Sequence, residues 1–109
     1  LEDRKAGRKE DAARLIEEMA RRAPTDTTVH FLRVESLLRD RENPTAALAL
    51  VDSLTFAPDD ARNGSRRAGL RADIFLALQQ PDSAKAALDA AIAAFPQNAR
   101  LKARRDSMP

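Results

Sequence analysis

The sequence lacks cysteine, tryptophan and tyrosine, and it contains only four phenylalanines and three glycines among 109 residues. Without cysteine there are no disulfides, thiolate metal sites or cysteine nucleophiles. The glycines form no phosphate-binding loop motif. No run approaches the roughly 18 uninterrupted apolar residues of a membrane span, and no signal-peptide pattern is present. The sequence therefore predicts no membrane span, and it assigns no cell compartment.

The residues that are present favour helices. Apolar residues make up 43% of the chain and charged residues 33%, which is typical of globular domains. Alanine and leucine supply most of the apolar content, and both favour helices over strands. The 19 basic and 17 acidic side chains nearly balance, leaving a net charge of +2 that does not by itself indicate nucleic-acid binding. Composition and length predict one all-α domain.

Amphipathic periodicity and helix start and stop signals predict about six helices. Asn43 and Pro44 form a helix start, with the asparagine as N-cap and the proline at the first helical position. The turn residues Asn63, Gly64 and Ser65 predict an interruption before the fourth helix, which one extra turn could precede. The predicted helices cover 11–23, 27–41, 44 to before Pro58, 65–79, 83–95 and 99 to about 107.

A three-residue pattern recurs along the chain. It consists of an alanine, a large apolar residue four positions later and a proline twelve positions after the alanine. Successive copies begin 34 and 38 residues apart, a period typical of helical-repeat arrays. The copies are Ala12, Ile16 and Pro24; Ala46, Leu50 and Pro58; and Ala84, Leu88 and Pro96.

With this pattern the chain resembles the tetratricopeptide repeat (TPR) family. The three copies match the small, large and proline positions of the family's second helix, and 7–13 resembles its inter-helix turn. The first helices fit less well, since only Phe75 matches an aromatic position by type. A generic array of helical hairpins is the alternative.

The resemblance implies an α-solenoid of antiparallel helix hairpins in a right-handed superhelix. It divides the single domain, 1–109, into four parts. These are a partial repeat at 1–26, a full repeat at 27–60, a full repeat with an extra turn at 61–98, and a partial or capping helix at 99–109. The incomplete repeats imply either an excerpt of a longer array or end repeats that are covered by self-association.

The resemblance also implies a function. First helices of the family line a concave groove that holds a peptide or helix of a partner protein. The matching groove positions are Phe31, Glu35, Leu38, Arg39, Arg66, Asp73 and Leu76. The positions of the family's carboxylate clamp hold unsuitable residues, including two acids, so no clamp is expected. The acids beside apolar residues instead predict a ligand with apolar and basic side chains.

Other functions find less support. Homodimers or extended arrays could form through Leu15 and Met19 in an uncapped end repeat, and this is the alternative function. Two basic clusters, within 62–71 and 100–105, lack the exposed aromatics or groove-reading helix of nucleic-acid binders. His30 is the sole histidine, and no motif supplies it with a catalytic relay or co-ligands. The sequence predicts no enzyme, cofactor or metal site.

Overall fold

A computed structural model describes residues 2–108, except for the side chains of 2–6 and 9. The described residues form helices and connecting segments, with no strand among them, and this confirms the all-α prediction. The six helices are α1 (Glu2–Arg22), α2 (Thr27–Arg39), α3 (Pro44–Ser53), α4 (Ala61–Ala77), α5 (Pro81–Ala94) and α6 (Ala99–Asp106).

The contacts divide the chain into two units, with the boundary after Leu54. The first unit contains α1, α2 and α3, and the second contains α4, α5 and α6. In each unit, helices that are consecutive in sequence pack together. The predicted repeat boundaries remain predictions, although α2, α4 and α6 begin at the residues where the predicted repeats begin.

In the first unit, α1 and α2 run antiparallel. Glu17 accepts a hydrogen bond from Arg33 at 2.7 Å, and Glu10 accepts one from Arg41 at 2.8 Å. The later residue of α1, Glu17, thus contacts the earlier of the two arginines, and the earlier residue, Glu10, contacts the later one. The two helices therefore point in opposite directions.

The second unit has a core built largely from alanine. Small side chains let helices approach closely, and Leu88, which is fully buried, fills the space between them. Phe75, Ile92 and Met108 pack against this core from its edge. The buried members are Ala68, Ala72, Ala84, Leu88, Ala91 and Leu101.

The helices α2, α4 and α6 share one type of N-terminal cap. The side chains of Asp26, Asp60 and Asn98 each accept a hydrogen bond from the backbone N–H three residues later, at 3.3, 3.1 and 3.2 Å. These caps are 34 and 38 residues apart, the same intervals as the alanine pattern. Each cap satisfies a backbone donor that the helix itself leaves without a partner.

Two predicted interruptions are wrong. The helix α1 continues through Gly7, and α4 begins at Ala61 and continues through Gly64. A single glycine costs a helix only about 1 kcal/mol, and neither segment contains a proline. The extra turn before Ser65 is present, since Asp60 caps it through both the backbone and the side chain of Asn63.

Several helices end earlier than predicted, including α4, which ends at Ala77 and not at Gln79. The helix α3 ends at Ser53, well before Pro58, and α2 ends at Arg39. The most buried pair of α3 is Ala47 and Val51, one position after the pair in the sequence pattern. One residue rotates the buried face by about 100°. Only the third copy of the pattern, with Ala84 and Leu88, has both residues fully buried.

Candidate functional site

An open cleft lies between α4 and α6 in the second unit, with a volume of about 670 Å³. Its two helices run parallel, because Asn98 donates to Ser65 at 2.8 Å near their starts and Arg104 pairs with Asp73 farther along both. The lining residues are Ala61, Arg62, Ser65, Arg66, Gly69, Asn98, Arg100, Leu101 and Arg104.

Four of the lining residues are arginines, and none is acidic. Arg62 and Arg66 are four residues apart on α4, and Arg100 and Arg104 are four apart on α6. Residues with this spacing lie on one face of a helix. Each helix therefore presents a pair of guanidinium groups to the cleft.

The surrounding contacts differ among the arginines of this region. Asp73 balances the charge of Arg104. Arg62 and Arg100 are exposed and form no ion pair with any other residue that the structure describes. The cleft is therefore positively charged.

The other arginines of the two basic clusters contact different groups. Arg67 lies 4.3 Å from the centre of the Phe56 ring, which is cation–π geometry. Arg105 donates to Asp89 on α5 at 2.8 Å. Arg71 lies 5.9 Å from the centre of the Phe75 ring. Thus one pair of arginines from each cluster lines the cleft, and the other three contact groups outside its lining.

A second cavity, of about 420 Å³, adjoins the cleft and shares Ala61 and Asn98 with it. Its wall includes Phe95, Pro96 and Gln97. The Phe95 ring also lies against α4, where a Cβ added to Gly64 would be 2.6 Å from Cε2 of the ring. Gly64 therefore allows the ring to pack directly on the α4 backbone.

The groove residues predicted on α2 differ in exposure. Phe31 is completely buried, so it belongs to the core and offers no surface to a ligand. Glu35 and Leu38 are half-buried, and Arg39 is exposed. These four residues lie in the first unit and the cleft lies in the second.

Of the groove residues predicted on α4, only Arg66 lines the cleft. Asp73 contributes indirectly, by holding Arg104, and Leu76 is exposed near the end of α4. The prediction missed Arg62, Gly69, Arg100 and Arg104. The sequence does contain a signal that relates the two arginine pairs. In both α4 and α6, arginines occupy the second and sixth positions after the N-cap residue.

His30 has a structural contact. Its Nε2 donates to the backbone carbonyl of Pro24 at 2.5 Å, which ties the start of α2 to the segment after α1. Within residues 2–108, leaving aside the undescribed side chains, no three histidine, cysteine, aspartate or glutamate residues cluster in a way that could hold a metal ion. No described helix is both long and apolar enough to cross a membrane.

Comparisons with protein-family models, with curated proteins and with solved structures give no match to this chain. The geometry of the cleft and the charge of its lining residues therefore carry the functional argument.

Proposed function

We propose that this chain is a protein–protein interaction module of the tetratricopeptide type. In this proposal its antiparallel hairpins stack into a right-handed solenoid, and its first helices present a concave groove to a peptide or helix of a partner. The observation that carries the proposal is the open cleft between the parallel helices α4 and α6. The proposal includes no catalytic step, cofactor or metal.

The cleft is suited to binding because both walls are held in place. Leu101 anchors α6 in the core with 4% of its surface exposed. The Asn98–Ser65 hydrogen bond and the Arg104–Asp73 ion pair join α6 to α4 near the beginning and farther along the helices. A preformed surface binds with a smaller loss of conformational entropy than one that must become ordered.

The proposal can be tested by filling the cleft. Gly69 lies in its lining, and an added Cβ would approach only Arg104 Nη1, at 3.9 Å. Gly69→Leu should therefore occupy the cleft without disturbing the core. Ala90→Leu, on an exposed position of α5, is the matched control.

The binding measurement uses immobilised peptides of acidic, basic and apolar composition. We expect saturable binding of at least one peptide class, retention by Ala90→Leu, and loss of at least tenfold in affinity with Gly69→Leu. Absence of saturable binding to every class, or equal binding by both variants, would contradict the proposal.

Self-association is the second candidate, and exposed apolar residues on α1 favour it. Leu15 and Met19 are 59% and 38% exposed and lie four residues apart on one face, which Ala12 extends. In this candidate the face pairs with its equivalent on a second copy. Light scattering should then show a dimer that Leu15→Lys with Met19→Lys converts to a monomer, whereas Ala49→Lys on α3 leaves it intact. A concentrated wild-type monomer would exclude this candidate.

A further inference from the structure

We infer that the cleft between α4 and α6 binds an acidic linear segment of a partner protein, with an apolar side chain beside the acidic residues. This inference rests on the proposed function and specifies its ligand. It differs from the basic ligand expected from the sequence, because that expectation depended on Glu35 and Asp73. Asp73 is paired with Arg104, and Glu35 lies in the other unit.

The charge of the cleft favours an acidic ligand. The lining contains four guanidinium groups and no carboxylate, and of these Arg62 and Arg100 are exposed and form no ion pair with the residues that the structure describes. A basic ligand would bring like charges together, whereas a carboxylate-rich ligand would be attracted. The geometry of a guanidinium group also matches that of a carboxylate, because two parallel N–H groups can donate hydrogen bonds to both carboxylate oxygens.

The spacing of the arginines on each helix suits an extended peptide. Residues four apart on a helix have Cβ atoms roughly 5–6 Å apart. Alternate residues of an extended peptide are separated by about 6.6 Å, from a rise of about 3.3 Å per residue. Acidic residues at alternate positions of an extended segment therefore match the arginine spacing on each wall. The carboxylates of such a segment would contact Arg62 and Arg66 on one wall of the cleft and Arg100 and Arg104 on the other.

The cavity that adjoins the cleft suits an apolar side chain of the ligand. Phe95 and Pro96 give it an apolar wall, and its volume of about 420 Å³ accepts one large apolar side chain. Because it shares Ala61 and Asn98 with the cleft, one short segment can reach both. The apolar side chain would then adjoin the end of the cleft at which α4 and α6 begin.

Nucleic acid is also anionic, but the aromatic residues near the cleft do not favour it. The Phe95 ring packs on α4 at Gly64, the Phe56 ring lies against Arg67, and Phe75 packs on the core. Single-strand binding usually requires aromatic rings on which bases can stack. An acidic peptide needs no such ring, so the contacts favour the peptide.

The test measures fluorescence anisotropy with four probes. The first is a peptide with alternating glutamates and a terminal leucine. The second has lysine in place of each glutamate, the third has serine in place of leucine, and the fourth is a single-stranded oligonucleotide of matched charge. We expect the first probe to bind most tightly, and its affinity to fall as salt increases.

Arg62→Gln and Arg100→Gln should each weaken binding of the first probe by about three- to tenfold. Lys102→Gln is the matched control, because it removes one positive charge from α6 at an exposed position outside the cleft lining. It should change the affinity less than twofold. Circular dichroism confirms that the three variants remain folded.

The outcomes separate the two proposals. Tighter binding of the lysine peptide, with loss in Gly69→Leu, would overturn the acidic ligand and leave the interaction module intact. Tighter binding of the oligonucleotide, or equal weakening by Lys102→Gln and Arg100→Gln, would also overturn the acidic peptide as ligand. If no peptide binds, both the inference and the proposed function fail.

Discussion

At the residue scale, Gly64 determines how closely α4 approaches the end of α5. A Cβ at this position would lie 2.6 Å from Cε2 and 2.7 Å from Cζ of Phe95. Such distances mean that the Phe95 ring would have to shift to admit a side chain at this position. In contrast, an added Cβ at Gly69, on the same helix, meets only an arginine nitrogen at 3.9 Å.

Gly64→Ala should therefore destabilise the protein by about 1–3 kcal/mol, because the Phe95 ring must leave α4. Gly69→Ala should instead stabilise it by about 0.5–1 kcal/mol, since alanine favours helix more than glycine does. Urea denaturation measures both changes. In a Phe95→Ala background the Gly64→Ala substitution should become stabilising, and an unchanged effect there would show that the ring is not the cause.

At Gln79 the backbone conformation conflicts with the residue type. Its φ is 60°, in the left-handed region that favours glycine. The N–H groups of Gln79 and Gln80 donate to the carbonyls of Leu76 and Phe75, at 3.0 and 2.8 Å, which is the hydrogen-bond pattern of a Schellman motif. The residue between helix and turn in this motif is usually glycine.

Gln79→Gly should stabilise the protein by about 0.5–1 kcal/mol, because relief of the left-handed strain exceeds the added entropy of the unfolded chain. The control is Gln97→Gly, at an exposed loop residue without a positive φ. It should give no gain. Thermal or urea unfolding measures both variants, and a loss of stability with Gln79→Gly would contradict the assigned turn geometry.

At the element scale, the starts of α2, α3 and α6 were predicted to the residue, whereas α1, α4 and α5 begin earlier than predicted. The Asn43–Pro44 start is where it was predicted, because a cap and a proline act locally. The continuity of α4 through Gly64 goes with a tertiary contact, the packing of the Phe95 ring on this position. The periodicity of apolar residues in the sequence does not predict such a contact between two helices.

The site was less predictable than the fold. The alanine pattern indicated helical hairpins, but burial in α3 is displaced by one residue, to Ala47 and Val51. Such a rotation redirects every side chain of a helix. On α2, the groove residues assigned by resemblance include Phe31, which is fully buried. The two arginine pairs line one cleft because α4 and α6 run parallel, which the sequence pattern alone does not predict.

The helix α6 depends on one large side chain for its position. Leu101 is its only buried residue, and an isolated eight-residue helix is not stable in water. Leu101→Ala should cost about 2–5 kcal/mol of docking energy and release α6 from α5. Hydrogen exchange should then show lost protection in α6 while α4 and α5 stay protected.

The contrasting substitution is Lys102→Ala, which removes an exposed side chain from the same helix. It should leave the protection of α6 unchanged. If Leu101→Ala preserved the protection of α6, or abolished that of all helices equally, α6 would not be the separately docked element that forms one wall of the cleft.

At the scale of the whole molecule, the proposed solenoid requires each first helix to be displaced from the previous one by a similar distance in the same direction. The N-caps Asp26, Asp60 and Asn98 mark equivalent positions on α2, α4 and α6. If the hairpins stack in one direction, residues equally placed after these caps must lie at successive steps along the array. A closed arrangement would bring the first and third of these positions together.

The absence of native cysteine permits a direct test, because spin labels can be attached at chosen positions without further changes to the chain. Thr28, Arg62 and Arg100 are exposed and each is the second residue after its N-cap. We propose pairwise cysteine substitutions at these positions and distance measurement by pulsed electron paramagnetic resonance. The account predicts that the 28–100 distance is close to the sum of the 28–62 and 62–100 distances. A 28–100 distance no longer than either of the other two would contradict it.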